Sequence, residues 1–210
     1  SREEVHPYLH WRSAAQTAVD LLNCMPDLLA FYNYSYPTDI VISGYSQGGA
    51  VALGVARLLE EYKTIDSTGE ANRKDWAIRK LYAGAGPYDP AGTYLYSLER
   101  DEMGIPAAIP LIVMGLNDAY DMGLDLDDFF LEPLLSNYEA WIESKEYTVG
   151  EINQLMGSTI MSELMTEDML SLDTPQADAL YQVLSWNSNV GYNLQSPAYF
   201  LHSLEDEVVP

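Results

Sequence analysis

Residues 38–62 place a short apolar run, a glycine-rich turn and a long helical pattern in direct succession, and this order constrains the fold most. The run TDIVIS (38–43) is apolar and β-branched, which predicts a strand buried on both faces. The segment QGGAVALGVARLLEEY (47–62) carries alanine and leucine at helical spacing, which predicts a helix. The sequence therefore predicts a strand and a helix joined by a sharp turn around Ser46.

Two further strands are indicated downstream. The segment AIRKLYAGAG (77–86) is apolar and ends in small residues, and PAYFLHS (197–203) has strand character near the end of the chain. Strands that alternate with helices form a parallel sheet with right-handed crossovers, so the expected class is α/β. In such sheets the functional groups collect at the carboxyl ends of the strands, and the turn at Ser46 lies at such an end.

A helix is also predicted before the first strand, over WRSAAQTAVDLLNCM (11–25), with Pro26 interrupting it or starting a successor. Cys24, the single cysteine of the chain, lies in this apolar pattern and is predicted to be a buried, inert thiol.

The segment GPYDP (86–90) predicts a stop after the second strand, and the region between the second and third strands differs in composition from the rest of the chain. Residues 90–196 are rich in leucine, methionine and aromatic side chains, with helical segments predicted at 107–120, 127–146, 149–169 and 175–186. We interpret this region as a helical insertion between residues 1–89 and 197–210, which form the core. Met161, Met165 and Met169 recur at helical spacing, which favours packing in the core of the insertion over the alternative of an acyl-binding pocket.

The charge balance excludes some classes of partner. Ten Lys and Arg residues stand against 32 Asp and Glu residues, a formal charge of -22 over 210 residues. Such a chain is repelled by nucleic acid and by anionic membrane surfaces, so neutral or cationic substrates fit better. No apolar stretch reaches the roughly 18 residues that a membrane-spanning helix needs, so no membrane span is expected.

The pattern Gly44-x-Ser46-x-Gly48 fits a nucleophile on a sharp turn. Glycines remove the side chains that would collide there, and the hydroxyl of Ser46 is lifted clear of the sheet. The backbone N–H of Gln47, at the start of the helix, is a natural donor to a developing oxyanion. The alternative is a loop of small residues with no chemical role.

A serine nucleophile also needs a histidine base and a carboxylate that orients it. The order expected for this fold is serine, then an acid after a later strand, then histidine. Asp206 follows the third predicted strand and fits the acid, with Glu205 and Glu207 as flanking rivals. The alternative is a charged surface turn.

Three stretches carry a family resemblance: HPYLHWRSAAQTAVDLL, ISGYSQGGAVAL and YFLHSLEDEVVP. In these segments the chain resembles the α/β-hydrolase superfamily, and within it the secretory-lipase-type lipases and esterases. The resemblance implies that Ser46 is the nucleophile, Asp206 the acid and the Gln47 N–H part of the oxyanion hole. It also implies that residues 90–196 are the cap or lid, and that the chain is a portion of an α/β-hydrolase sheet with a large helical cap insertion.

Two departures from the family are visible. Ser203 stands where the family usually has glycine, and the base histidine of the family follows the acid by some tens of residues. None of His6, His10 and His202 occupies that place. The few residues before Ser46 also leave little room for the strands that normally precede it. We therefore expect a portion of a longer protein, or a truncated paralogue, whose strand 39–43 pairs with missing segments or another chain.

The expected activity is hydrolysis of carboxylic esters through an acyl-enzyme on Ser46, with a small-molecule ester or lipid as substrate. No cofactor and no metal are expected, because the acidic cluster at 121–128 lacks the spacing of an EF-hand loop. The resemblance implies an extracellular or cell-envelope location. The alternatives are a peptidase or acyltransferase on the same fold, and a truncated hydrolase relic that acts as a binding module.

Overall fold

Three short strands form a parallel sheet in the order β1-β2-β3: β1 (Asp39–Tyr45), β2 (Ala77–Gly84) and β3 (Ala198–Leu201). The computed structural model describes residues 6–66 and 76–210. The long helices α1 (Trp11–Phe31) and α2 (Gln47–Asp66) accompany the sheet. The predicted α/β class and the three parallel strands are confirmed.

Strand β1 is not buried on both faces, and that prediction is wrong. Its residues alternate between exposed and half-buried: Val41 and Tyr45 are 61% and 76% exposed, whereas Ile40 and Ile42 pack in apolar clusters with residues of α1 and α2. In the described chain α1 and α2 pack on one face of β1, and β1 is an edge strand. A β-branched apolar run therefore indicated the strand but not which of its faces is covered.

Helix α1 continues through Pro26 to Phe31, so the predicted interruption is wrong. Proline removes only one backbone donor, and the following turns still form. The buried side of the helix is the stripe of Trp11, Ala15 and Val19, which packs against α2. Cys24 lies off this stripe and is exposed, which corrects the prediction of a buried thiol.

The described chain divides into two compact units. The sheet unit comprises Trp11–Tyr88 and Asn189–Leu204; the helical unit comprises Asp89–Ser188 together with the described residues up to His10 and the segment Glu205–Pro210. The chain leaves the sheet unit and re-enters it at neighbouring residues, because the N–H of Asn189 donates to the carbonyl of Tyr88 over 2.8 Å. On the helical side, the hydroxyl of Ser188 donates to the carboxylate of Asp89 over 2.9 Å.

The helical unit consists of short helices around one apolar core. They are α3 (Pro90–Arg100), α4 (Ala108–Ala119), α5 (Leu126–Phe129), α6 (Leu134–Tyr138), α7 (Val149–Met156), α8 (Glu167–Leu170) and α9 (Pro175–Trp186), with a π-helical turn at Glu139–Glu143 and a 3₁₀ turn at Met161–Glu163. The predicted helix 175–186 is confirmed, and 107–120 is nearly so. The prediction of one helix over 127–146 and another over 149–169 is wrong, because each of these segments is divided into shorter helices.

The breaks have local causes. Gly157 adopts a left-handed conformation that ends α7, and Pro133 separates α5 from α6. Helix α3 escaped prediction because Pro90 suggested a stop, whereas proline is favourable at the first position of a helix. Met161, Met165 and Met169 are all buried in the core of this unit, which confirms the packing prediction although they do not share one helix.

Candidate active site

Ser46 alone connects β1 to α2, and its backbone has an unusual conformation. Tyr45 is the last residue of the strand and Gln47 the first of the helix. The φ angle of Ser46 is 54°, in the left-handed region that residues other than glycine seldom adopt, and its side chain is exposed. This conformation costs on the order of 1 kcal/mol, so the surrounding structure must impose it. The predicted sharp turn is present, with an exposed serine at its centre.

The glycines around Ser46 differ in what they allow. A Cβ on Gly44 would lie 1.9 Å from the carbonyl oxygen of Gly48, and one on Gly49 would lie 2.7 Å from that of Gly84. A Cβ on Gly48 would meet nothing within 4 Å. The turn therefore requires glycine at 44 and 49 for steric reasons, whereas the third position of the sequence pattern is sterically open.

Backbone hydrogen bonds fix the turn at the carboxyl ends of the strands. The N–H of Ser46 donates to the carbonyl of Gly84 over 2.9 Å, and the carbonyl of Ser46 accepts from the N–H of Gly49 over 2.8 Å. The N–H of Ala85 in turn donates to the carbonyl of Leu201, at the end of β3, over 2.8 Å. The ends of all three strands are thus tied together, as the parallel topology predicted.

Gln47 supplies the first N–H of the 20-residue helix α2. The first four N–H groups of an α-helix have no acceptor within the helix, and the helix dipole makes this end attractive to negative charge. Ser46 and Gln47 therefore bring a hydroxyl and an anion-binding N–H together at one point of the sheet unit.

Asp206 lies in the helical unit, five residues beyond the end of β3 along the chain. One carboxylate oxygen, Oδ1, accepts the N–H groups of both Val208 and Val209 over 2.9 Å. Asp206 is half-buried, whereas its neighbours Glu205 and Glu207 are exposed. Its local backbone bonds hold the Asp206 carboxylate in one orientation, and its partial burial distinguishes it from the two rivals.

The three histidines lie in different settings. The ring of His10 meets Tyr120 edge to face with centroids 5.2 Å apart, and that of His6 meets Tyr8 at 6.2 Å. His202 directly follows β3 and is exposed. His6 and His10 precede α1, so these contacts fix the chain before that helix within the helical unit.

Tyr88 is a residue near the turn that sequence reasoning missed. Its hydroxyl lies 3.2 Å from the position that a Cβ on Gly49 would occupy, and its ring meets Phe200 of β3 edge to face at 5.3 Å. Burial raises the pKa of the Tyr88 phenol, and a hydrogen bond with the backbone of Gly86 opposes part of that rise. The only sequence signal is its place four residues after β2, in GPYDP.

Within residues 6–66 and 76–210, no three His, Cys, Asp or Glu side chains are grouped so that they could hold a metal ion. None of the helices in this part of the chain combines the length and the apolar character needed to cross a bilayer.

No protein-family model and no curated protein matches the sequence. Solved structures do match. The rice cell wall degrading esterase LipA from Xanthomonas oryzae aligns with a TM-score of 0.80 over 99% of this chain and 54% of its own, at 19% identity. A provisionally assigned hydrolase from Legionella pneumophila aligns at 0.81 over 99% and 53%, at 17% identity. Candida antarctica lipase A aligns at 0.61 over 97% and 44%, at 17% identity.

The chain has the α/β-hydrolase fold. The predicted resemblance to lipases and esterases of this fold is thereby confirmed, as is a partial α/β-hydrolase sheet with a helical insertion. The chain spans about half the length of the structures that it matches. Ser46 occupies the strand-to-helix turn between β1 and α2 of this fold.

Proposed function

We propose that this chain is part of a serine hydrolase that cleaves carboxylic esters through an acyl-enzyme on Ser46. The observation that carries the proposal is the left-handed conformation of an exposed serine between β1 and α2. Six other residues that are not glycine also adopt positive φ in the described chain, so the strain counts here only together with the place of Ser46. An exposed hydroxyl-bearing residue at the single position between a strand and the N-terminus of a long helix is where a nucleophile is expected in this fold.

The reaction follows from the residues around the turn. The Oγ of Ser46 attacks the ester carbonyl carbon while a histidine base takes the hydroxyl proton. The oxygen of the tetrahedral intermediate becomes negative and accepts the N–H of Gln47 at the start of α2. The alcohol leaves with the proton from the histidine, and water then attacks the acyl group on Ser46, which restores the serine and releases the carboxylic acid.

Asp206 is the acid that orients the base in this proposal. Its support is its place after β3, its half-buried position and the two backbone N–H groups that hold its carboxylate. The two N–H groups hold the carboxylate in one orientation, which the role requires. The family resemblance implies that the base is a histidine placed after the acid in the sequence.

A fluorophosphonate probe tests the nucleophile directly, because it reacts with activated serines and not with ordinary surface hydroxyls. In the natural protein we expect labelling that is lost in Ser46→Ala and retained in Ser43→Ala, the matched control on β1. Labelling that survives in Ser46→Ala would contradict the assignment. Absence of labelling in the wild-type natural protein would favour the non-catalytic relic instead.

The leaving group is tested separately, since a serine, histidine and acid triad does not select it. Nitrophenyl esters of increasing acyl length are compared with aminoacyl amides, using Ser46→Ala as the blank. We expect turnover of the esters and none of the amides. Turnover of amides alone would indicate a peptidase, and transfer of the acyl group to an added alcohol in preference to water would indicate an acyltransferase.

The segment 90–196 is the cap in this proposal, and acyl-chain preference is set there. The supporting observation is that the sheet unit closes across Tyr88 and Asn189, so the helical unit can vary without a change in the sheet. Replacing residues 90–187 by the equivalent segment of a related lipase tests this role. The preferred acyl length is expected to follow the segment; an unchanged preference would contradict it.

Strand 39–43 is proposed to pair with further polypeptide, either other segments of the natural protein or another chain. The support is that β1 is an edge strand in the described chain, with Val41 exposed. Unpaired strand edges invite such pairing. Slow hydrogen–deuterium exchange of residues 39–43 in the natural protein, compared with this chain alone, would support the pairing. Equal and fast exchange in both would exclude it.

An extracellular or cell-envelope location is proposed from the family resemblance. It is supported by the fold shared with LipA, whose described activity is degradation of rice cell wall. Fractionation of the producing cells with immunoblotting tests it. Recovery of the protein in the cytoplasmic fraction alone would contradict it.

A further inference from the structure

A carboxylate on α2, Glu60, gathers hydrogen bonds from the segment that leads into β3. Its Oε1 accepts the N–H of Gln195 over 3.1 Å and both the N–H and the hydroxyl of Ser196, over 2.8 and 2.6 Å. Its Oε2 accepts the hydroxyl of Tyr192 over 3.2 Å and shares the N–H of Gln195 at 3.0 Å. One side chain thus binds three residues that lie more than 130 positions away in the sequence.

One helical turn earlier, Arg57 holds the beginning of the same segment. Its guanidinium lies between the rings of Trp11 and Tyr192, 4.5 and 4.9 Å from their centroids. Its Nη1 donates to Oδ1 of the buried Asn189 over 3.3 Å, and its Nε is paired with Glu61 at 2.8 Å. Helix α2 therefore attaches residues 189–196 at both ends.

The side chains of strand β3 bury little surface that would fix where it begins, although the N–H of Leu81 donates to the carbonyl of Pro197 over 2.9 Å directly before it. It is four residues long, and Tyr199, Phe200 and Leu201 are exposed, so that only Ala198 is half-buried. It pairs with β2 over the same four residues. A strand with so little buried side-chain surface is weakly specified in register by packing. Hydrogen bonds to an ionised carboxylate are shorter and stronger than hydrogen bonds between neutral groups. Glu60 can therefore help to specify the register of β3.

We propose that Glu60 is a positioning residue of the hydrolase. It fixes the start of β3 on α2, and from β3 the chain runs directly to Asp206. Helix α2 begins directly after Ser46. The turn that carries the nucleophile and the strand that leads to the acid are therefore both attached to α2. The inference rests on the proposed function for its catalytic meaning, whereas the attachment of β3 to Glu60 can be tested without it. Loss of Glu60 is expected to lower kcat and to leave KM largely unchanged.

The experiment compares Glu60→Ala, Glu60→Gln and Asp27→Ala in the natural protein. Asp27 is the control, because it is an exposed acid on α1 of the same unit and carries the same charge. The first readout is hydrogen–deuterium exchange of the peptide 194–201. The second is the division between kcat and KM for a nitrophenyl ester.

We expect Glu60→Ala to speed exchange of 194–201 and to lower kcat, each by about tenfold or more, with KM within about threefold. Glu60→Gln should recover most of kcat, because the amide oxygen still accepts from Ser196. Asp27→Ala should stay within about threefold of wild type in both readouts. If Glu60→Ala does not fold, hydrogen–deuterium exchange of 194–201 is measured in Ser196→Ala instead. This variant removes one of the donors to Glu60 and should also speed exchange.

Unchanged exchange of 194–201 in Glu60→Ala would overturn the proposal, as would equal acceleration by Asp27→Ala. Faster exchange with an unchanged kcat would overturn the positioning role while leaving the attachment. A wild-type protein without Ser46-dependent labelling would instead refute the proposed hydrolase. The exchange measurement would still decide the attachment of β3, so the two failures are distinguishable.

Discussion

The backbone N–H of Ser46 donates to the carbonyl of Gly84 over 2.9 Å, so the residue that turns the chain from β1 into α2 is held by the end of the neighbouring strand. This bond explains how a non-glycine residue keeps a φ of 54°. The conformation is imposed by the sheet and does not depend on any local preference of serine.

The steric contrast between Gly44 and Gly48 gives the first prediction. Gly44→Ala puts a methyl group 1.9 Å from a carbonyl oxygen, so the turn must distort. We expect the free energy of unfolding to fall by about 3 kcal/mol or more, measured by urea denaturation. Gly48→Ala is the control and should change it by less than about 1 kcal/mol, because its Cβ meets nothing. Equal losses in the two variants would contradict this account of the turn.

The strain at Ser46 gives the second prediction. Ser46→Gly relieves a left-handed conformation that costs about 1–2 kcal/mol, partly offset by the greater flexibility of unfolded glycine. The variant should therefore unfold at the same or a higher urea concentration, with a net gain of about 0.5 kcal/mol. Ser43→Gly, at an extended position of β1, should lose about 1 kcal/mol. Clear destabilisation by Ser46→Gly would show that the residue carries no strain.

The third prediction concerns Asp206 and rests on the proposed hydrolase. Asp206→Asn keeps Oδ1 as an acceptor for Val208 and Val209, so the local fold should survive. It removes the negative charge that stabilises a protonated base, and kcat/KM should fall by roughly 10²–10⁴.

The flanking acids serve as controls for Asp206. Glu205→Gln and Glu207→Gln, both exposed, should retain kcat/KM within about threefold. A loss of kcat/KM confined to one of these variants would indicate that the residue replaced in it is the acid. The measurement is steady-state hydrolysis of a nitrophenyl ester by the natural protein.

Alkaline pH gives the fourth prediction, through Tyr94. Burial raises the pKa of its phenol from the ordinary value of 10.0 to about 12, and its hydroxyl donates to the carbonyl of Met169. Because the folded state holds the proton more tightly, this contribution to stability is complete below pH 10. It is lost as the pH rises from 10 to 12, where the unfolded phenol ionises first, and amounts to about 3 kcal/mol.

Tyr94→Phe isolates that contribution. Phenylalanine loses the hydrogen bond to Met169, so the variant should be less stable near neutral pH by about 1 kcal/mol. It cannot ionise, so its stability should fall less between pH 10 and 12 than that of the wild type. Urea denaturation at pH 8 and pH 11.5 or so would show the two curves converging. Parallel curves would mean that Tyr94 titrates normally.

The sequence predicted the features that depend on neighbouring residues. The strand at 39–45, the turn at Ser46 and the helix after it follow from local composition, and so do α9 and the third strand. Local patterns could not predict that one face of β1 stays exposed, because a β-branched run looks the same whether one side or both are covered. They also misjudged Pro26 and Pro90, since the effect of proline depends on its position within the helix.

The parts of the site that were missed depend on distant residues. In the sequence, Glu60 is one of two adjacent acids near the end of a predicted helix. Its partners Gln195 and Ser196 follow only after the whole helical segment. Tyr88 reads as part of a stop signal, although its hydroxyl lies against Gly49. Such contacts arise only when parallel strands bring remote segments together, so they cannot be predicted from the periodicity of a local segment.

The hydrogen bond between Asn189 and Tyr88 lets residues 89–188 leave and re-enter the sheet unit at one place, so this segment could be exchanged, together with the partners of the terminal residues 6–10 and 205–210 that also belong to the helical unit. Where a chain departs and returns through adjacent residues, a short glycine bridge can close the gap, or a foreign domain with neighbouring termini can be grafted in. Because the attachments of Arg57 and Glu60 to 189–196 lie on the sheet side of that junction, a graft would leave them intact. Recombination at this one place could therefore exchange the helical part of such proteins while the serine turn is inherited unchanged.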